Sequence, residues 1–466
     1  MKLTLLDLPD SVLSIILKRV SRGPDGIVNI ARVSCVDVQL RALALEHMRT
    51  MRTLDMRSLG RRARVAAPHL ARRCESLVTL VCDRTNVTDE CVTALLAASE
   101  RTLRKLSLAD CRHLRNLHAH AFEEDPRDVG RSSQAIVEDT YRAIVEDAHG
   151  LGEEPSSSAP CRITELNLHG SSWSPKALVA LLRAARHSLV ALNLSSTHVS
   201  HSNLPRGEDF GEVAKILLAC RNLRRLHLGV PVDFVVPCLT FKIFGEIDRV
   251  RGLKGLNFFQ GMEDRAPFFS LSELSLERNG AANDVMLGHI YRQCPNLKRL
   301  DLRGCPFSSS DFVSFIGGME NEEDVWVPGA RCAPGLESLL LGGCDSLDDD
   351  GLATVASRCS QLVELDLSMH DRVGPAGIEA LAKGCERLRR LRISRNARVT
   401  AESLAKLARG AEMETLSAVR CRRAGEPALQ TLQEELRGHG KVGERGCRID
   451  WVGDDFQWAE TLSGMQ

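Results

Sequence analysis

The chain has 466 residues, too many for one compact hydrophobic core, and its 61 basic residues balance 61 acidic ones. That balance excludes an overall attraction to nucleic acid or to an anionic membrane. Asp7 and Asp10 interrupt the apolar N-terminus and no run of 18 apolar residues follows, so we expect a soluble, unexported protein of the cytoplasm, the nucleus or both.

The sequence carries none of the common motifs of a catalytic or metal site. The sequence contains no Gly-x-x-x-x-Gly-Lys-Ser/Thr loop, no Gly-x-Ser-x-Gly turn, no His-Glu-x-x-His pair and no Cys-x-x-Cys pair. We therefore assign no catalytic residue and expect no enzyme, no cofactor and no bound metal.

The first predicted elements are short helices within residues 1–47. Apolar residues three and four apart follow Pro9, a Gly-Pro-Asp-Gly break occupies 23–26, and a second apolar series runs from Ile27 to Leu43. Such a small module is stable only when it docks on something else. One interpretation is an N-terminal cap on the solenoid that follows.

From residue 48 to 421 the pattern Leu-x-x-Leu-x-Leu recurs, often at steps of 26 residues, which is typical of leucine-rich repeats. Each block predicts a strand and then a helix, and only stacked neighbours can bury their apolar faces. We expect an α/β leucine-rich-repeat solenoid of about 13 repeats, a horseshoe with a parallel inner sheet and outer helices. The clear copies begin at Leu77, Leu103, Leu189, Leu223, Leu271, Leu297, Leu336, Leu362 and Leu388, and fainter ones at Met51, Ile163, Leu253 and Met413.

The alternation within each strand separates core from surface. Leu300 and Leu302 should point into the stack, whereas the residues between and beside them should face the concave side. Charges of both signs alternate there, which favours a protein partner over a polyanion. The predicted partner-binding residues are Arg225, His227, Phe259, Glu273, Arg299, Asp301, Arg303, Glu364, Asp366, Arg390 and Arg392.

Nine of the 16 cysteines fall at two phases of the repeat, which predicts small buried side chains in a reducing compartment. A disulfide framework is the alternative. The first phase holds Cys74, Cys220, Cys294, Cys359 and Cys385, and the second holds Cys111, Cys305, Cys344 and Cys421.

Three segments interrupt the repeat. Residues 123–160 carry ten carboxylates and three arginines, and we expect a disordered acidic insertion, with a short docking helix as the alternative. Residues 231–270 collect seven phenylalanines that either fill the core or, as predicted for Phe259, anchor a partner. Residues 319–334 either overhang the concave face or pack on the rim.

Beyond the last repeat, residues 422–466 are interpreted as a C-terminal cap and tail. A helix is predicted at 425–437, and residues 447–451 predict a final strand that covers the sheet edge.

The N-terminal helices followed by cysteine-containing repeats resemble the F-box/LRR family. The similarity rests on Leu8-Pro9-x-x-Val12-Leu13-x-x-Ile16-Leu17-x-x-Val20 and on the run from Ile30 to Val36. Leu40 and Asp37 stand where that family usually has tryptophan and cysteine, which weakens the second half of the motif. By the resemblance, the adaptor-binding residues are Leu8, Pro9, Val12, Leu13, Ile16, Leu17, Val20, Ile30, Val33 and Val36.

The resemblance implies the substrate-recognition subunit of an SCF-type ubiquitin ligase. The helices would bind a Skp-type adaptor, and through it the cullin and RING subunits, while the repeats hold a protein destined for proteasomal degradation. Two alternatives remain: a leucine-rich scaffold or inhibitor outside any ligase, and a GTPase activator using Arg303 or Arg392.

Overall fold

A computed structural model describes most of the repeat region and the N-terminal helices. The chain divides into two compact units, residues 1–223 and 224–464, and each is described by itself. The described residues are 10–22, 25–35, 38–99, 102–114, 162–173, 175–199, 213, 216–217, 219–229, 270–279, 287, 290, 294–320, 326–328, 333–344, 347–410, 413–438 and 448–450.

The first unit begins with three helices, α1 (Asp10–Val20), α2 (Gly26–Ser34) and α3 (Val38–Thr50). Together they form what we call the helical module. All three pack on one another, and α2 also contacts the first strand, so the module is docked as its size requires.

The rest of the first unit is a parallel sheet with helices between the strands. The 3₁₀ segment Arg57–Arg62 leads into helix Ala63–Ala71, and helices Asp89–Ser99 and Pro175–Ala185 follow. A separate parallel pair consists of β5 (Ser172–Trp173) and β7 (His198–Val199). The sheet strands are β1 (Thr53–Asp55), β2 (Thr79–Val81), β3 (Lys105–Ser107), β4 (Glu165–Asn167) and β6 (Ala191–Asn193).

The second unit repeats this arrangement with eight parallel strands. Its helices are Ser309–Gly317, Asp349–Arg358, Pro375–Gly384, Ala401–Gly410 and Glu426–Gly438, with a 3₁₀ turn at Ala333–Gly335. The strands are β8 (Arg225–His227), β9 (Glu273–Ser275), β10 (Arg299–Asp301), β13 (Ser338–Leu340), β14 (Glu364–Asp366), β15 (Arg390–Arg392), β16 (Thr415–Ser417) and β17 (Arg448–Asp450).

Within each unit, neighbouring strands of the main sheet are in register. The central leucines of β10, β13 and β14 pair directly as Leu300, Leu339 and Leu365, and all three are buried. The apolar alternation therefore stacks one leucine above the next. This is the parallel, helix-backed sheet of a leucine-rich-repeat solenoid, and it confirms the predicted fold class.

The faint repeat predicted at Leu253 is wrong. Strand β8 pairs directly with β9, Arg225 opposite Glu273, which leaves no place between them for a strand from that register. The predicted concave position of Phe259 loses its basis, and Phe259 itself lies outside the described residues. The predicted C-terminal strand is confirmed as β17, which pairs with β16 at the end of the sheet.

The other interruptions leave the main sheet intact. Strand β3 pairs directly with β4, so residues 123–160, which lie outside the described part of the chain, add no strand between them. Near residues 319–334, β11 (Gly318–Glu320) and β12 (Trp326–Pro328) form an antiparallel ribbon of their own.

The cysteines of both phases are buried and form no disulfide bond, as predicted. Those of the second phase each donate an Sγ–H bond to a carbonyl of the preceding repeat, as in Cys305 to Leu276 and Cys344 to Leu302, both 3.0 Å. Asn396 and His370 do the same with nitrogen donors at that phase. The side chain at this position of the repeat thus donates a hydrogen bond to a buried backbone carbonyl of the preceding repeat. Water cannot reach that carbonyl.

Candidate functional site

The helical module combines a buried core with exposed apolar side chains. Leu13 and Leu17 on α1, Ile30 on α2 and Leu40 on α3 are buried against one another's helices. They support the module from inside, so any part they have in adaptor binding is indirect. Leu40, which replaces the family's usual tryptophan, fills this core.

The exposed side of α1 carries apolar side chains beside the exposed Lys18 and Arg19. Val12 is 37% exposed and Ile15, one turn further on, is 57% exposed, while Ile16, Val20 and Val33 are partly exposed. Leu8, Pro9 and Val36 lie outside the described residues. The predicted role of these residues in adaptor binding stays a prediction.

Sequence reasoning missed two exposed apolar residues of the module, Ile15 and Val38. Val38, at the start of α3, is 77% exposed. A signal for Ile15 was present, because the run from Val12 to Leu17 is apolar on more than one side of a helix, which exceeds what a single buried stripe needs.

In the second unit, the first and third residues of each strand lie on one side of the sheet, which we call the polar face. Register places Arg225, Glu273, Arg299, Ser338, Glu364 and Arg390 in one row, and His227, Ser275, Asp301, Leu340, Asp366 and Arg392 in the next. Neighbours within a row are about 4.8 Å apart. The structure therefore brings the described members of the predicted partner-binding set together on one surface.

The two signs of charge do not share this surface equally. The carboxylates of Asp301, Glu364 and Asp366 are buried, whereas the guanidinium groups of Arg299 and Arg390 remain partly exposed. Cation lies over anion because the arginine side chain is long enough to reach across a strand. The sequence predicts a face on which both signs of charge are equally exposed. In the structure the carboxylates form a buried layer and the arginines lie above it.

Arg303 shows how tightly one such layer is held. It donates from Nη2 and Nε to Asp301 at 2.8 and 2.9 Å, and its Nη2 lies 3.2 Å from Glu277. Burial alone would lower the pKa of this guanidinium, but the hydrogen bond to Asp301 and the two carboxylate charges raise it. With both carboxylates engaged, Arg303 is a fixed part of the face rather than a free finger.

At the other members of the set, His227 Nε2 lies 2.8 Å from Glu273, and Arg392 lies 3.9 Å from Asp366. Beneath them Ser338 Oγ donates to Glu364 at 2.8 Å and Ser275 Oγ to Asp301 at 3.1 Å. The carboxylates thus have hydroxyl and guanidinium donors that compensate for their burial.

In the described ranges, no three histidine, cysteine or acidic side chains come together as they would around a metal ion. No helix of those ranges is long and apolar enough to cross a bilayer.

Comparison with known proteins agrees with the repeat fold. The family model described as "Leucine Rich repeat" matches residues 293–311 and 358–382, and no F-box is detected. By fold the chain is a leucine-rich-repeat protein, a class that binds protein partners along its sheet.

A curated relative is "Antagonist of mitotic exit network protein 1" of Saccharomyces cerevisiae. It is 24% identical over 169 residues, which cover 34% of this chain and 29% of that protein. The aligned part thus spans less than a third of the relative's length.

Two solved structures are similar. "Crystal structure of Rad7 and Elc1 complex in yeast" is 13% identical, covers 94% of this chain and 92% of that one, and superposes with a TM-score of 0.49. "Crystal structure of TLR13-ssRNA13 complex" is 17% identical, covers 75% and 43%, and gives a TM-score of 0.35. Both TM-scores lie below 0.5, so neither likeness bears on function.

Proposed function

We propose that the chain is the substrate-recognition subunit of an SCF-type ubiquitin ligase. The helical module would bind a Skp-type adaptor, which connects it to cullin and RING subunits, and the polar face would bind the protein to be ubiquitinated. The chain itself supplies positioning, the proximity part of a catalysed transfer, while other subunits perform the chemistry. Such a complex would work in the cytoplasm, the nucleus or both.

The observation that carries the proposal is the exposed apolar side of the helical module. Val12, Ile15 and Val38 gain nothing by facing water, and burying one such side chain contributes about 1.5–3 kcal/mol. A partner that covered these residues would recover that free energy. Their exposure supports a partner that covers them, and the motif resemblance supports the adaptor as that partner.

Substitution of Ile15 tests the adaptor. We expect Ile15→Asp to abolish co-purification of a co-expressed Skp-type adaptor, because a carboxylate would have to be desolvated in the contact. The matched control is Val65→Asp, at an exposed apolar residue of helix Ala63–Ala71 outside the module, which is 70% exposed. Both variants should unfold at the temperature of the unmodified chain.

Adaptor that co-purifies equally with the Ile15→Asp and Val65→Asp variants would contradict the proposal, as would failure of the unmodified chain to retain any adaptor. The latter result would favour a second candidate, a protein-binding antagonist outside any ligase. The relative's printed name and the lack of a detected F-box are the observations that favour it.

A further inference from the structure

Arg299 and Arg390 approach one buried carboxylate from opposite sides. Arg299 on β10 donates from Nη2 to Glu364 Oε2 at 3.1 Å, reaching over the intervening strand β13. Arg390 on β15 brings its Nη2 to 3.7 Å from the same oxygen. Glu364 is 2% exposed, whereas the side chains of Arg299 and Arg390 are 25% and 30% exposed. Two cations therefore lie above one anion.

This pair differs from the other arginines of the polar face. Arg303 contacts two carboxylates, Asp301 and Glu277, and Arg392 lies 3.9 Å from Asp366. At Glu364 two arginines contact one carboxylate, so these three groups together carry one positive charge.

Each arginine of the pair also has a hydrogen-bond donor without an acceptor among the described residues. The Nε–H groups of Arg299 and Arg390 are buried and have no acceptor within the described parts of the chain. A buried donor without an acceptor costs about 1–3 kcal/mol. An incoming acceptor that drew either guanidinium outward would remove that cost, so the pair is suited to a second anion above the first.

We propose that Arg299 and Arg390 bind a carboxylate side chain of an acidic segment in the protein partner. The proposal deepens the proposed function, since it rests on the polar face being the surface that holds that partner. One residual charge matches one carboxylate better than a phosphate, which carries nearly two charges near neutral pH. The planar guanidinium fork also matches a carboxylate in a bidentate fashion.

The floor beside the pair favours a peptide segment. Ser338 and Leu340 of β13 and Gly342 just beyond it have short or buried side chains, while Arg299 and Arg390 stand on strands β10 and β15, three strand spacings or about 14 Å apart. About four residues of extended chain span that distance. Because both guanidinium groups meet above Glu364, an extended segment of that length would pass over them and place one carboxylate against the pair.

Peptide binding to the full chain tests the inference. The probe is a fluorescein-labelled peptide of five Gly-Glu repeats, measured by fluorescence anisotropy at low salt, and the comparison peptide has glutamine in place of glutamate. We expect binding of the glutamate peptide alone, and weakening of more than about tenfold in the double variant Arg299→Gln with Arg390→Gln, because charge-assisted hydrogen bonds are lost.

The control for this variant is Arg389→Gln. Arg389 is adjacent in sequence, and it pairs with the exposed Glu414 at 3.4 Å. We expect the affinity of this variant to stay within about twofold of the unmodified chain, since its charge is already balanced.

Glu364→Gln gives a change of the opposite sign. It removes the carboxylate under the two arginines and leaves an oxygen acceptor of the same shape, so affinity for the glutamate peptide should rise about threefold to tenfold. A merely structural ion pair would give no such rise. If the double glutamine variant unfolds, the Glu364→Gln result decides alone.

Three results would overturn the inference: an unchanged affinity in a folded double glutamine variant, no gain in folded Glu364→Gln, or displacement of the peptide by inorganic phosphate at lower concentration than by acetate. The last would assign the site to a phosphate. Adaptor co-purification is measured on the same variants and should not change, so failure of the peptide site is distinguishable from failure of the adaptor proposal.

Discussion

In the described repeats that begin at Leu77, Leu103, Ile163, Leu189, Leu271, Leu297, Leu336, Leu362, Leu388 and Met413, the seventh residue after the start has a left-handed backbone. Its φ is +67° at Gly304, +77° at Gly343 and +66° at Met369. The turn after the strand demands this conformation, which costs a residue with a Cβ about 1–2 kcal/mol. Some repeats have glycine at this position, which adopts a positive φ without strain. The other repeats have a residue with a Cβ, which is strained there. The non-glycine residues at this phase are Arg84, Asp110, Ser196, Arg278, Met369, Arg395 and Arg420.

We expect Met369→Gly to stabilise the second unit by about 0.5–1 kcal/mol, because removing the Cβ relieves the positive φ while the exposed side chain contributes little packing. The reverse control is Gly343→Ala, which should lose about 1 kcal/mol, since the added Cβ would have no neighbour closer than 3.9 Å and so would report φ alone. Equilibrium denaturation measures both free energies of unfolding. Equal stability of the two variants would contradict the strain argument.

At the scale of elements, one repeat caps the helix of the next. Asp348 accepts from Gly351 N and caps its own helix, Asp349–Arg358. Asp349 reaches the following helix, Pro375–Gly384, where its Oδ1 accepts from Gly374 N at 2.7 Å and from Gly377 N at 3.1 Å. The N-cap residue of that helix, Gly374, has no side chain to do this. The carboxylate therefore joins two repeats as well as ending a helix.

We expect Asp349→Ala to destabilise the second unit by about 1–3 kcal/mol, because two amide groups lose a charged acceptor. Asp350→Ala is the matched control: Asp350 is also acidic and in the first helical turn, but it is exposed, so its removal should cost about 0.3–1 kcal/mol through the helix dipole alone. Equal losses in the two variants would show that the cap adds nothing beyond charge. Denaturant unfolding at constant pH gives both values.

At the scale of the whole molecule, each unit shares its core along consecutive repeats. Among the described cysteines, Cys35 is exposed and the remaining eleven are buried. Burial raises the pKa of the Cys74 and Cys111 thiols to about 11, and that of Cys220 and Cys385 to about 12. A thiolate is the reactive form, so at pH 8 these groups are both hidden and protonated.

Alkylation with iodoacetamide at pH 8, followed by peptide mass spectrometry, should therefore modify Cys35 in the native protein and leave Cys359, Cys385 and Cys421 unmodified. In increasing denaturant these three should become reactive over the same concentration range, because neighbouring repeats share one core. Rapid native labelling of any of them would contradict the shared core. Staggered labelling would indicate that each repeat opens separately.

Much of the candidate site could be predicted from local pattern, and the errors have physical causes. The repeat predicted at Leu253 has no place in the main sheet between β8 and β9, because these two strands pair with each other. Ile15 and Val38 were missed because the exposure of a helical residue depends on which side of the helix the neighbouring helices cover. The pattern of residues along the chain does not give that information.

The sequence by itself determined the repeat period, the inward leucines, the burial of the repeat-phased cysteines and the closing strand β17, because each depends on residues close along the chain. Only the tertiary structure decided how charge is distributed on the polar face. Arg299 and Glu364 are 65 residues apart in the chain and meet because β13 separates them by one strand. The order of the strands and the length of the arginine side chain decide which carboxylate is buried beneath which arginine. The polar face therefore has buried carboxylates under partly exposed arginines, although the sequence contains equal numbers of both charges.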